Sequence, residues 1–273
     1  MPIAASQIPR ISATGLFFFR NLVRRYFRSH FHAVRVSCAE HLQQQTGPLI
    51  VYANHSSWWD PMVCFLLSAE LLPSRPHFAP MDADALRRYA VLGRLGIFPV
   101  QIESARGAVQ FLRTGEAIVR SGGVLWVTPQ GRFADSRERP LVFKPGLATL
   151  AARLGACTVL PLAIEYTFWD ERKPETLLHF GEPVQVAGEG ADAIETRLIH
   201  ALATSMDQLR AKSLARDGRG FQTTLARGVV GPGGMYGFGK RFRALATRQS
   251  YHAEHSVSHD SPSPPGRSPE LRS

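Results

Sequence analysis

Pro48-Leu49-Ile50-Val51-Tyr52-Ala53-Asn54-His55-Ser56-Ser57-Trp58-Trp59-Asp60-Pro61 is the stretch whose reading decides the fold. Residues 48–53 form a continuous apolar run, the pattern of a short strand buried on both faces. Asp60 before Pro61 reads as a helix N-cap with proline at the first helical position, so residues 54–59 form a strand-to-helix loop. That loop carries an imidazole at His55 and ends on a carboxylate at Asp60. A histidine so placed accepts a proton from a hydroxyl near neutral pH, while the carboxylate fixes the ring tautomer and stabilises the imidazolium that forms. Two purely structural readings compete: Asp60 as a helix cap and nothing more, and His55 as a loop histidine satisfied by its neighbours.

Outward from this stretch, strand-like and helix-like segments alternate. Residues 33–36, 49–53, 96–102, 124–127 and 158–166 read as strands. Residues 62–72, 84–92, 106–120 and 147–154 read as helices, the third with apolar positions Val109, Leu112 and Ile118. Such alternation predicts an α/β fold, a largely parallel central sheet flanked by helices. Ligands of α/β proteins gather on loops at the carboxyl ends of the strands, where His55 and Gln130 both fall.

Three further blocks follow the Asn54-His55-x4-Asp60 motif in order. They are Gly96-Ile97-Phe98-Pro99-Val100; Thr128-Pro129-Gln130-Gly131-Arg132-Phe133 with Phe143-Lys144-Pro145-Gly146; and Val159-Leu160-Pro161-Leu162-Ala163-Ile164. Together, over roughly residues 35 to 185, they resemble the PlsC-type glycerolipid acyltransferase family, which contains the 1-acylglycerol-3-phosphate acyltransferases. The resemblance implies acyl transfer from acyl-CoA or acyl carrier protein to a hydroxyl or amine of a lipid acceptor, with His55 as general base oriented by Asp60. No covalent enzyme intermediate, cofactor or metal is implied. Substrate-binding roles carry over to Asn54, Ile102, Arg106, Gln130, Gly131, Arg132, Phe133, Lys144, Gly146 and Pro161. Oxyanion donors are expected among backbone N–H groups near the helix beginning at Pro61 or around Gly131.

The departures from the family pattern bear on the acceptor. Gln101-Ile102 stands where the second block usually ends in Asp-Arg, and the Glu and final Arg of the usual Phe-Pro-Glu-Gly-Thr-Arg are replaced by Gln130 and Phe133. Isoleucine cannot pair with a phosphate, and glutamine carries no charge. An acceptor without a glycerol phosphate head is therefore expected. The ordinary lysophosphatidate enzyme of phospholipid synthesis stays as the alternative, with Arg132, Arg106, Arg137, Arg139 or Lys144 supplying cations from shifted positions. A non-catalytic lipid-binding protein on the same fold is a further alternative.

With 273 residues, 44% of them hydrophobic and 20% charged, the chain can bury one sizeable core. A formal net charge of +10 calls for an anionic partner. Nucleic acid is disfavoured, since neither zinc-finger spacing nor an RNA-binding signature is present; a lipid surface and an acidic acyl carrier or CoA remain. Cys38, Cys64 and Cys157 are too few and scattered for a disulfide framework or metal site, which fits a reducing cytoplasm.

Residues 15–28 supply the expected lipid contact. At 100° per residue, Leu16, Phe18, Phe19, Leu22, Val23, Tyr26 and Phe27 share one half of a helix, with Arg20, Arg24, Arg25 and Arg28 opposite. The segment is too short and charged to span a bilayer and lacks the uninterrupted apolar core of a signal peptide. It reads as an interfacial helix at a headgroup boundary, placing the protein peripherally on the cytoplasmic face of the cell membrane. The competing reading is an amphipathic helix packed on the domain itself.

Residues 191–214 read as one amphipathic helix, broken by Arg216-Asp217-Gly218-Arg219-Gly220. The glycine-rich stretch 228–234 lacks a Gly-Lys-Ser/Thr end and reads as a turn. A second basic amphipathic stretch surrounds Phe238 and Phe242, and the Ser/Pro/His-rich tail reads as disordered. The expected organisation is a membrane-interfacial segment (1–34), an acyltransferase domain (35–215), a basic extension (216–255) and a disordered tail (256–273).

Overall fold

All five residues of β2 (Leu49–Ala53) are buried, as an apolar run without polar alternation requires. Successive side chains point to opposite faces, so Ile50 and Tyr52 enter one apolar cluster while Leu49, Val51 and Ala53 enter another. Two separate cores on the two faces of one strand mean helices on both sides of the sheet.

The computed structural model describes residues 8–102 and 104–227. The chain begins with α1 (Ala13–His30), β1 (Ala33–Ser37) and α2 (Glu40–Gln43) before β2. It continues through α3 (Asp60–Leu71), β3 (His77–Asp82), α4 (Ala83–Arg88), a 3-10 turn (Ala90–Leu95) and β4 (Ile97–Val100). Then come α5 (Ala105–Arg120), β5 (Val124–Val127), α6 (Gly146–Leu154), β6 (Ala156–Thr167), β7 (Glu175–Phe180) and β8 (Val184–Ala187). The last elements are α7 (Ala191–Ala215), a 3-10 turn (Gly218–Gly220) and β9 (Thr223–Arg227).

The described residues build a sheet in the order β4-β3-β5-β2-β6-β7-β1-β9, with β8 also on β6. From β4 to β6 every pairing is parallel; β7 and β8 run antiparallel to β6, and β9 antiparallel to β1. The mostly parallel α/β sheet expected from sequence is therefore present. On one face, Phe111 and Ile118 of α5, Leu147 and Leu150 of α6 and Leu198 and Leu202 of α7 pack over Ile50 and Tyr52. On the other, Val23 and Phe27 of α1 and Val63, Leu66 and Leu67 of α3 pack over Val51.

Several sequence expectations shift. The strand read at 96–102 is confined to Ile97–Val100, and the helix read at 84–92 is α4 followed by the 3-10 turn. Val109 is 45% exposed on α5, whose buried face is set by Phe111, Ala117 and Ile118. The strands β3, β7, β8 and β9 are additions. β3 contains a proline, β8 is only four residues long, and β7 opens on a glutamate. That Glu175 is buried because His32 Nδ1 at 2.6 Å and Arg35 Nε at 3.1 Å hold its carboxylate. β9 lies inside the segment read as an extension, yet pairs with β1. The expectations for the glycine-rich stretch, the second basic stretch and the tail fall outside the described residues.

The N-terminal helix is the largest change. Val23 and Phe27 are fully buried, and Phe19 meets Phe65 of α3 edge-on with ring centroids 4.6 Å apart. Arg20 and Arg24, expected at a headgroup boundary, both bind Glu70 of α3, Arg24 through contacts of 2.7 and 2.5 Å. The inner half of α1 is thus part of the domain core, as the competing reading of the sequence had it. Phe17, Phe18, Leu22 and Tyr26 face outward, with Phe17 and Phe18 64% and 67% exposed. Among the described residues no helix is long and apolar enough to cross a membrane.

Candidate active site

The loop after β2 is fixed to the neighbouring strand by Asn54. Its side-chain Nδ2 donates to Ile164 O at 2.9 Å and its Oδ1 accepts Ile164 N–H at 2.8 Å, so this buried amide continues the β2–β6 ladder by one step. Both polar atoms of the Asn54 side chain, expected at the substrate, are thus engaged by backbone. His55 follows at the exposed end of the sheet. Its backbone N–H donates to Gln130 Oε1 at 2.9 Å, and its carbonyl accepts Ala134 N–H at 2.8 Å.

His55 Nδ1 lies 2.8 Å from Asp60 Oδ2. The same oxygen accepts the backbone N–H groups of Ser56 and Ser57 at 2.8 and 2.9 Å, and Tyr166 OH donates to Oδ1 at 2.7 Å. Asp60 is fully buried, so these four donors replace its hydration. The helix cap expected of Asp60 is not found: Trp59 occupies the N-cap, Asp60 is the first helical residue, and its carboxylate turns back onto the His55 loop. With Nδ1–H committed to the carboxylate, Nε2 is the basic nitrogen, and the imidazole side chain is 18% exposed. Burial, then the Asp60 charge, push the Tyr166 phenol well above its ordinary range, which keeps it a donor.

Around the pair, the residues singled out in the sequence separate into two groups. Phe133, 57% exposed, lies against the His55 ring with centroids 4.4 Å apart and the planes tilted by 40°. Gln130 is buried behind His55, its amide oxygen turned inward rather than toward an acceptor. Gly131 closes the turn at φ 63°; a Cβ there would meet Lys144 Cε at 2.6 Å, so the Lys144 stem lies across it. Its N–H donates to Thr128 O at 3.1 Å, and with the Ser56 and Ser57 amides on Asp60, the expected oxyanion donors at these positions are already engaged.

The second group sits elsewhere. Gly146 packs on the Phe111 ring, and Pro161 is buried in mid-β6, where the antiparallel partner changes from β8 to β7 and a missing N–H costs least. Ile102 and Arg106 are exposed beyond β4, three strand spacings or about 14 Å from β2 across the sheet. No described contact joins them to the His55 loop. Arg132 pairs with Glu138, Arg137 with Asp135 and Arg139 with Asp207.

A cavity of about 700 Å³ opens beside Ser56 and Ser57. Trp59, Ile164, Tyr166 and Leu209 give it apolar walls, and Arg137, Arg139 and Arg210 also line it. Tyr166 is the contributor that sequence reasoning missed. Its only sequence signal is its place two residues after Ile164, on the same face of a strand already assigned. Among the described residues no group of three or more His, Cys, Asp or Glu side chains is gathered to hold a metal ion.

Comparison with known proteins agrees with the fold. The family model described as Acyltransferase matches residues 33–165, from the start of β1 to near the end of β6. A search of curated proteins finds no match. Among solved structures, the fold is similar to that of the 1-acyl-sn-glycerophosphate (LPA) acyltransferase PlsC from Thermotoga maritima. The TM-score is 0.51 and the identity 18%, over 72% of this chain and 80% of that one. The matched segment contains His55, Asp60 and Gln130, and it marks an acyltransferase domain within the chain.

Proposed function

We propose that this acyltransferase moves a fatty acyl group from acyl-CoA or acyl carrier protein to a hydroxyl or amine of a lipid acceptor, with His55 as general base. His55 Nε2 takes the acceptor proton as the acceptor oxygen or nitrogen attacks the thioester carbonyl. The carbon–sulfur bond then breaks, and the departing thiolate receives the proton from the imidazolium. Asp60 holds the ring and stabilises its transient charge. The observation that carries this reading is the 2.8 Å His55–Asp60 contact around a carboxylate with no exposure and a full set of donors. A helix cap or a satisfied loop histidine needs no such arrangement. Turnover of acyl-CoA with a panel of lysolipids, compared between the wild type and His55→Ala, tests it; equal turnover would leave a lipid-binding protein.

For the acceptor, we favour a head without a glycerol phosphate. Phe133 covers His55 where the family pattern has a cation, and Arg132, Arg137 and Arg139 are each paired with a carboxylate. Lysophosphatidate, the substrate after which the Thermotoga protein is named, is favoured instead by the three arginines on the cavity wall, of which Arg210 has no carboxylate partner among the ion pairs of the described residues. Complementation of a strain lacking its own 1-acylglycerol-3-phosphate acyltransferase, paired with a purified assay on lysophosphatidate, separates the two. Robust rescue with high activity would sink the first reading.

The outward face of α1 fits peripheral binding to an anionic bilayer, on the cytoplasmic side where acyl-CoA and acyl carrier protein are found. Phe17, Phe18 and Leu22 would enter the headgroup boundary, with the exposed Arg25 and Arg28 beside them.

A further inference from the structure

We propose that Tyr166 is a positioning residue of the transfer site, acting through Asp60. The inference rests on the general-base reading of His55. The two oxygens of Asp60 have divided tasks: Oδ2 takes His55 and the two serine amides, whereas Oδ1 takes the Tyr166 hydroxyl at 2.7 Å. Because Asp60 has no exposed surface, water does not substitute for a lost donor. Without the phenol, Oδ1 is a buried anionic oxygen with no donor. The carboxylate then gains by rotating to share the serine N–H groups, and that rotation carries Oδ2 off the line to His55 Nδ1. The imidazole loses both its orientation and the hydrogen bond that fixes its tautomer.

The fold delivers this hydroxyl by strand register. Asn54 clamps Ile164, and Tyr166 lies two residues further along the same face of β6, about 7 Å on. Opposite it, Thr176 of β7 sets the register. The Tyr166 ring leans on Phe31, at a centroid distance of 5.8 Å, and Phe31 in turn meets Trp59, the residue before Asp60, at 4.8 Å. β6 therefore supports the loop twice, once at its start through Asn54 and once at its end through Asp60. Since the hydroxyl is spent on Asp60, Tyr166 does not touch the reacting atoms.

The test is Tyr166→Phe, which keeps the ring and removes the hydrogen bond, measured alone and in an Asp60→Asn background with folding checked by circular dichroism. Loss of a hydrogen bond to a charged group corresponds to a fall in kcat of about 10- to 100-fold. We expect that fall in the wild-type background with KM for both substrates unchanged, and little further loss once Asp60 is Asn. The far-downfield proton resonance of His55 Nδ1–H should move upfield in Tyr166→Phe. An unchanged kcat, a loss residing in KM, or an equal loss in both backgrounds would overturn the proposal. If His55→Ala also keeps wild-type turnover, the general-base reading fails with it; if His55→Ala is inactive while Tyr166→Phe is not, only the role of Tyr166 falls.

Discussion

The side-chain carbonyl oxygen of Gln130 accepts the backbone N–H of His55 at 2.9 Å, so the residue at the centre of the third motif acts on the loop of the first from behind. A glutamate at this position presents an acceptor of the same shape. Gln130→Glu should therefore keep most of the turnover, whereas Gln130→Leu strands a buried donor at a cost of about 1–3 kcal/mol and should lower kcat by roughly tenfold or more. Steady-state kinetics of the two variants check this; a Gln130→Leu enzyme as active as the wild type would mean that the loop is held by its other contacts.

His55→Ala and Asp60→Asn should each lower acyl transfer by about 10²- to 10⁴-fold, the scale of a positioned general base. Near-wild-type turnover with an unchanged lipid product from both would show that the assignment is wrong. In Asp60→Asn the amide oxygen can keep the His55 and serine contacts while Nδ2 donates to the Tyr166 hydroxyl, which accepts as well as donates, so the loss should fall on turnover, through the missing charge, rather than on the fold.

The two faces of α1 should separate membrane binding from stability. Serine at Phe17, Phe18 and Leu22 should release the protein from anionic vesicles in co-sedimentation while leaving the melting temperature unchanged, since these side chains are more than half exposed. Phe27→Ala removes a fully buried ring and should cost about 3–5 kcal/mol of stability. If the triple serine variant binds vesicles as the wild type does, the lipid contact lies elsewhere on the molecule.

His77 should make stability depend on pH between about 6.5 and 4. Burial first, and the nearby Arg75 charge, push its imidazole down from 6.5 to about 4. The neutral ring is held between Trp126 Nε1–H, donating to Nδ1 at 3.0 Å, and Leu72 O, accepting from Nε2 at 2.7 Å. The folded value is the depressed one, so the unfolded chain binds more protons across this window. The contribution of the neutral ring is present above about 6.5 and is lost as the pH falls toward 4, roughly 3 kcal/mol in all. Urea unfolding at pH 7, 5.5 and 4.5 should show a shallower loss for His77→Gln than for the wild type; parallel curves would mean that His77 does not set the pH dependence.

By itself the sequence determined those features that local pattern dictates. The apolar run at 49–53 specified a strand buried on both faces, hence a helix layer on each side, because a continuous run has no polar face to give to water. The loop with His55 and Asp60 was legible for the same reason, both residues lying within one strand-to-helix turn. Tertiary structure decided whatever depends on partners distant in the chain. It turned Asp60 from a cap into a buried carboxylate in contact with His55, met by Tyr166 from across 106 residues, and it set Gln130 behind His55 across 75. The N-terminal helix shows the limit most plainly. Its apolar and basic stripes are readable at 100° per residue, yet a hydrophobic stripe carries the same signature whether it meets lipid or protein. Glu70, placed opposite Arg20 and Arg24 by the packing of α3, fixed which half of the helix turned inward.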